Sequence, residues 1–236
     1  AEWVNWFQYP LPPLPAHREL VGKADLETVL SDGRIPLPHQ RLGVRWLLAR
    51  RGALLADEMG LGKTLTALLA ARAMVRVANV RLVVVAPAGL HSHWLNEAAA
   101  LGLEIELQSW ARLPQNLPSV GTLLVVDEAH FAQSLSSKRT QALLRLARHP
   151  RLRAIWMLTG TPMKNGRPVE LFPLLAAIDH PLAHDQRAYE KYFCQAHWRE
   201  NRSHRIWDCS GASNLRELRR LVRPLILNRS KDGCFG

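Results

Sequence analysis

Asp57-Glu58-Met59-Gly60-Leu61-Gly62-Lys63-Thr64 is the stretch that decides the fold. It follows Ala53-Leu54-Leu55-Ala56, an apolar run of strand size, and opens a helical pattern from Lys63 to about Val77. A turn between a strand and a helix is where a phosphate-binding loop must sit. Gly60 and Gly62 let the backbone bend so that its amides face phosphate oxygens. The start of the helix adds the positive end of its dipole, Lys63 reaches toward the β- and γ-phosphates, and the Thr64 hydroxyl is placed to bind Mg²⁺. The strict pattern has glycine where this chain has Asp57. Gly-Lys-Thr also arises by chance, so the strand–loop–helix context is what carries nucleotide binding.

Working outward from the loop, the pattern alternates. Gln40–Arg50 carries Leu42, Val44, Trp46, Leu47 and Leu48 and predicts a helix with one buried face. Val80–Ala86 predicts a strand broken by Pro87, His91–Ala100 a helix, and Glu104–Leu107 a short strand. Thr122–Val126 predicts a strand, Ser136–Arg148 a helix and Ala154–Leu158 another strand. Such alternation implies right-handed crossovers and a parallel sheet covered on both faces. Beyond Pro168 the pattern reads as mostly helical, through Tyr189–Trp198 and Leu215–Val222.

Two further strand ends carry chemistry. Val125-Val126-Asp127-Glu128-Ala129-His130 places two carboxylates where an apolar strand stops, the edge at which open α/β sheets bind ligands. Asp127 suits the Mg²⁺ that bridges phosphates, and Glu128 suits polarising an attacking water. Leu158-Thr159-Gly160-Thr161-Pro162 sets two hydroxyls and a flexible backbone near the same place. Alone, each is an ordinary surface pair or turn. Three strand-end motifs in this order are not.

Together with Gln40 in Pro38-His39-Gln40, these motifs resemble the SWI/SNF-type branch of the superfamily-two helicases. The resemblance covers roughly residues 36–231. It implies an α/β, RecA-like P-loop lobe, a parallel sheet with helices on both faces and helical decoration near the C-terminus. It also implies ATP as substrate, Mg²⁺ as cofactor and duplex or branched DNA as partner. By that resemblance Gln40 reads adenine, and Gly60, Leu61, Gly62, Lys63 and Thr64 form the ATP site. Thr64 and Asp127 hold the metal, Glu128 with Lys63 and Asp127 serves hydrolysis, and Thr159, Gly160 and Thr161 couple ATP state to lobe movement. Pro87–Trp94 resembles the segment with which the family grips a DNA strand, which nominates Pro87 and Trp94. Asn165–Leu175 and Tyr192-Phe193-Cys194 resemble the annealing-helicase subgroup. Leu225–Lys231 resembles the family's exit from the first lobe, with Asn228 where a second basic residue is usual. No stretch resembles a second lobe with its arginine finger, worth about 10³–10⁵ in turnover. These residues alone are therefore expected to bind ATP weakly and to turn it over poorly.

The remaining features bound the function. The chain has 31 Lys and Arg against 20 Asp and Glu, a formal charge of +11 that attracts a polyanion. Its composition is globular, and no apolar run reaches bilayer length. Absence of a charged-then-apolar leader and an odd count of cysteines (Cys194, Cys209, Cys234) point to a reducing, intracellular setting. Residues 1–35, with Trp3, Trp6, Tyr9 and the prolines of 10–15, read as an extension or linker, and 232–236 as a tail. Cys194, His197, His204 and Cys209 fit no common zinc spacing. The tryptophans read as packing, Trp94 excepted, and Arg216–Arg223 as a solvated helix face. Two other functions stay open: an unwinding helicase of a sister branch, and a catalytically silent one-lobed regulator that binds nucleotide or DNA.

Overall fold

The computed structural model describes residues 17–24, 26, 29–117, 121–163, 165–201 and 204–235. The aromatic and proline-rich opening lies outside them. In chain order the elements are α1 (His17–Lys23), α2 (Pro38–Leu48), β1 (Gly52–Leu55), α3 (Lys63–Ala78), β2 (Arg81–Ala86), α4 (His91–Ala100), β3 (Glu106–Ser109) and β4 (Thr122–Val126). Then come α5 (Lys138–Ala147), β5 (Leu152–Leu158), α6 (Pro168–Ala177), α7 (Gln186–Phe193), β6 (His197–Asn201), β7 (His204–Asp208), α8 (Leu215–Val222) and β8 (Ile226–Leu227).

The main sheet has the strand order β3-β2-β4-β5-β1-β8, every pair parallel. Side chains alternate along a strand, and here both sets are buried. Leu55, Val84, Val125 and Trp156 pack on one face with α1–α4, while Leu54, Val85, Leu124 and Met157 pack on the other with α5–α8. That double burial is why these strands read as continuous apolar runs.

Several details depart from expectation. Leu42 is 60% exposed, because the buried stripe of α2 runs through Gln40, Gly43, Val44, Leu47 and Leu48, and Leu42 lies off it. The helix expected over Tyr189–Trp198 ends at Phe193, after which Gln195 adopts a positive φ of 51°. Beyond it β6 and β7 pair antiparallel as a separate two-stranded sheet, with Trp198 opposite Trp207. The short strand foreseen at 104–107 forms two residues later. Residues 17–35, expected as a linker, are in their described part built into the lobe: Leu20, Ala24 and Leu30 are buried, and Arg72 of α3 donates to the Ala24 carbonyl at 2.8 Å. Among the described residues, no helix is long and apolar enough to cross a membrane.

Candidate nucleotide site

The three strand-end motifs follow β1, β4 and β5 at the C-terminal edge of the sheet. The loop after β1 turns through Gly60 and Gly62, with φ of 90° and 74°, and α3 starts immediately at Lys63. A side chain at 62 would be strained there and would also collide with the Gln40 amide. Gln40 reaches back from the first turn of α2, its Oε1 accepting from the Leu37 amide at 2.9 Å and its Nε2 lying 3.4 Å from the Leu61 carbonyl. Beside it, His39 Nε2 lies 3.0 Å from the same carbonyl. The first turn of α2 therefore rests directly on the phosphate loop.

Lys63 folds back on its own loop, Nζ donating to the Asp57 carbonyl at 2.8 Å and toward the Glu58 carbonyl at 3.4 Å. Burial pushes its ammonium below the usual lysine range, opposed by the carboxylates of Glu128, Asp57 and Asp127. Opposite it, Asp127 is buried at the end of β4. Its Oδ2 accepts from Trp94 Nε1 at 2.9 Å, its Oδ1 from the Glu128 amide at 2.9 Å, and its main-chain carbonyl from Trp110 Nε1 at 2.9 Å. Burial raises the Asp127 carboxyl above the ordinary range, against the lowering effect of the Trp94 and Glu128 hydrogen bonds. Glu128 stands at φ 49°, a left-handed conformation that turns the chain sharply out of the strand.

The third motif is tied to the second. His130 Nδ1 lies 3.0 Å from Glu128 Oε2 and 3.4 Å from Thr159 Oγ1. The Thr161 amide donates to Thr159 Oγ1 at 3.1 Å, and Gln133 Nε2 donates to the Thr161 and Pro162 carbonyls at 3.2 and 2.9 Å. Gly160 faces Lys63: a Cβ there would stand 3.9 Å from Nζ and 3.2 Å from Met59 Cγ. A family model described as the SNF2-related domain matches residues 39–110 and 102–234 of a chain with this arrangement. The chain belongs to the SNF2-related domain family.

Similarity to individual proteins agrees with that membership. A Mus musculus protein named DNA annealing helicase and endonuclease ZRANB3 is 34% identical over 227 residues, 83% of this chain and 21% of that protein. A Xenopus tropicalis SWI/SNF-related matrix-associated actin-dependent regulator of chromatin subfamily A-like protein 1 is 28% identical over 90% of this chain and 24% of its own length. The chain thus spans less than a quarter of these relatives. The Sulfolobus solfataricus SWI2/SNF2 ATPase core in complex with dsDNA shares the fold, with a TM-score of 0.65 at 20% identity over 94% of this chain and 47% of that one.

Within this SNF2-related lobe one expected site residue changes role. Trp94 is fully buried with its indole N–H on Asp127, so it offers no face to a DNA strand. The exposed part of its segment is Ala88, Gly89, Ser92 and His93, with Pro87 half-buried. Among the described residues, the tryptophan that does face solvent is Trp198, 52% exposed in the hairpin. Arg216, Arg219, Arg220 and Arg223 are exposed on and just beyond α8, as expected. Cys194 is buried, and among the described residues no cluster of His, Cys, Asp and Glu gathers to hold a metal. The sequence reading took Trp110 only as packing and Arg229 only as part of the exit stretch Leu225–Lys231, and it did not single out Gln133. Each acts from a distance in the chain, and no local pattern marks the partner it meets.

Proposed function

We propose that this SNF2-related lobe binds MgATP and serves as the ATP-binding half of a translocase that moves on duplex or branched DNA. What supports it above all is the convergence of Lys63, Asp127, Glu128 and Thr159–Thr161 on one sheet edge, from three strand ends distant in sequence. The loop amides and Lys63 bind the phosphates, and Gln40 borders them on the adenine side. Thr64 and Asp127 fit Mg²⁺: a hydroxyl and a carboxylate are hard oxygen donors, and Mg²⁺ completes its shell with waters and phosphates rather than a dedicated protein cage. Bound there, the metal neutralises charge on the transferred phosphoryl group. Glu128 orients the attacking water, and the His130–Thr159 contact links that carboxylate to the third motif. The likeness to relatives named for DNA annealing and chromatin regulation supports DNA as the track, and the odd cysteines an intracellular setting. Turnover is proposed to need a second RecA-like lobe that supplies the transition-state arginine.

The test is ATP binding and hydrolysis by these 236 residues, with and without duplex DNA, beside Lys63→Ala. The intact chain is expected to bind ATP, Lys63→Ala to bind it many-fold more weakly, and turnover to stay low until a second lobe is added. Equal ATP binding by the two proteins would sink the nucleotide assignment. Clear DNA-stimulated turnover by the 236 residues, lost in Lys63→Ala, would show the arginine coming from a second copy and would overturn the need for a separate lobe.

A further inference from the structure

The chain returns to the phosphate loop at its far end. After α8, β8 runs parallel to β1, with the Leu54 amide donating to the Leu225 carbonyl at 2.8 Å and the Ala56 amide to the Leu227 carbonyl at 2.7 Å. The contact continues past the strand: the Glu58 amide donates to the Arg229 carbonyl at 2.9 Å, and the Lys231 amide to Glu58 Oε2 at 2.8 Å. Residues 225–231 thus lie alongside the whole approach to the loop.

Arg229 stands at the centre of this contact. Its Nε and Nη2 donate in a fork to the two oxygens of Asp57, at 3.0 and 2.5 Å, with the Asp57 side chain 1% exposed. Its Nη1 donates to the His39 carbonyl at 2.6 Å. The guanidinium passes over Gly43, where a Cβ would come within 3.0 Å of Nη2 and 2.8 Å of Thr66 Cγ2. One planar group therefore holds two parts of the site. Through Asp57 it fixes the residue whose main-chain carbonyl receives Lys63 Nζ. Through His39 it fixes the turn that carries Gln40. Only Arg has a fork of this shape, since a lysine ammonium would satisfy one acceptor at a time. The Asp57 carboxylate, which stands where the strict pattern has glycine, is taken up in the pair with Arg229.

We propose that Arg229 is a positioning residue for the ATP site, acting on Lys63 through Asp57 and on Gln40 through His39. This role rests on the ATP assignment above and adds the exit segment to the machinery of nucleotide binding. A structural anchor alone would stabilise the lobe without changing how Lys63 contributes to binding, and that difference is measurable.

Breaking one side of a buried ion pair leaves an uncompensated charge. The working background is therefore Asp57→Asn with Arg229→Met, which removes both charges together, accompanied by Arg229→Lys. Fluorescent-ATP affinity is measured for the 236-residue chain, the double variant and Arg229→Lys, each with and without Lys63→Ala, and thermal midpoints confirm folding. The double variant is expected to bind ATP about tenfold more weakly, with Arg229→Lys between it and the native chain. Lys63→Ala is expected to cost several-fold less in the double variant than in the native chain, since its ammonium is already misplaced. The same cost in both backgrounds overturns the proposal, as does native affinity in the double variant. If the double variant does not fold, Arg229→Lys carries the comparison alone. No ATP binding by the intact chain would overturn the ATP assignment itself and this role with it.

Discussion

At the residue scale, the acidic strand end owes its chemistry to neighbours that contribute no charge. Asp127 is buried, and burial alone disfavours its ionised form. The indoles of Trp94 and Trp110 hold its Oδ2 and its carbonyl, so its carboxylate has one orientation. Trp94→Phe replaces the two-ring indole by a single ring at a fully buried site and deletes one donor, leaving Oδ2 without its indole partner. It is expected to lower stability by about 1–3 kcal/mol, read by chemical denaturation, and to leave affinity for duplex DNA unchanged. A large loss of DNA affinity with unchanged stability would restore Trp94 as a DNA contact. The indole N–H could not have been assigned to Asp127 from sequence. The pair is 33 residues apart and meets only because β2 and β4 are neighbours in the sheet.

At the element scale, α1 packs into the lobe. Its Leu20 is fully buried, its end is tied down by Arg72, and Ser31 Oγ just beyond donates to the Ala100 carbonyl at 2.9 Å. Leu20→Ala is expected to destabilise the chain by about 2–5 kcal/mol, as for other large-to-small core changes, measured by urea unfolding. A cost below about 0.5 kcal/mol would return this segment to the status of a linker. The β6–β7 hairpin is the other element that pattern reading missed. Its edge-to-face Trp198–Trp207 pair, 5.3 Å between centroids, and Arg187 stacked 4.4 Å over Trp207 stabilise a ribbon that makes no strand pairing with the main sheet. A helical run into aromatic and charged residues gave no local sign of where α7 would stop.

At the scale of the whole molecule, the excess of basic residues gives the chain a formal charge of +11 that attracts a polyanion, such as the DNA track proposed above. Each phosphate neutralised contributes about −0.9 to the slope of log affinity against log salt on duplex DNA. If the lobe takes up three or more phosphates, the slope is expected to be about −3 or steeper, measured by fluorescence anisotropy. A slope near zero would show that the +11 charge serves solubility alone.

The sequence by itself determined the parallel sheet and the order of the three strand-end motifs, and it nominated Lys63, Asp127 and Glu128. Those features are local: continuous apolar runs buried on both faces, glycines at a turn, and carboxylates at a strand end. Their boundaries were legible too, with His91–Ala100, Thr122–Val126 and Leu215–Val222 forming where the pattern put them. Only the tertiary structure decided what lies behind those residues. Trp94 went to Asp127 rather than to DNA, Gln133 to the third motif, α1 into the core, and Arg229 across 172 residues to Asp57. Periodicity reports which face of an element is buried. Which distant donor meets a buried acceptor depends on strand order and on the close approach that Gly43 allows, and neither is written in any short stretch of chain.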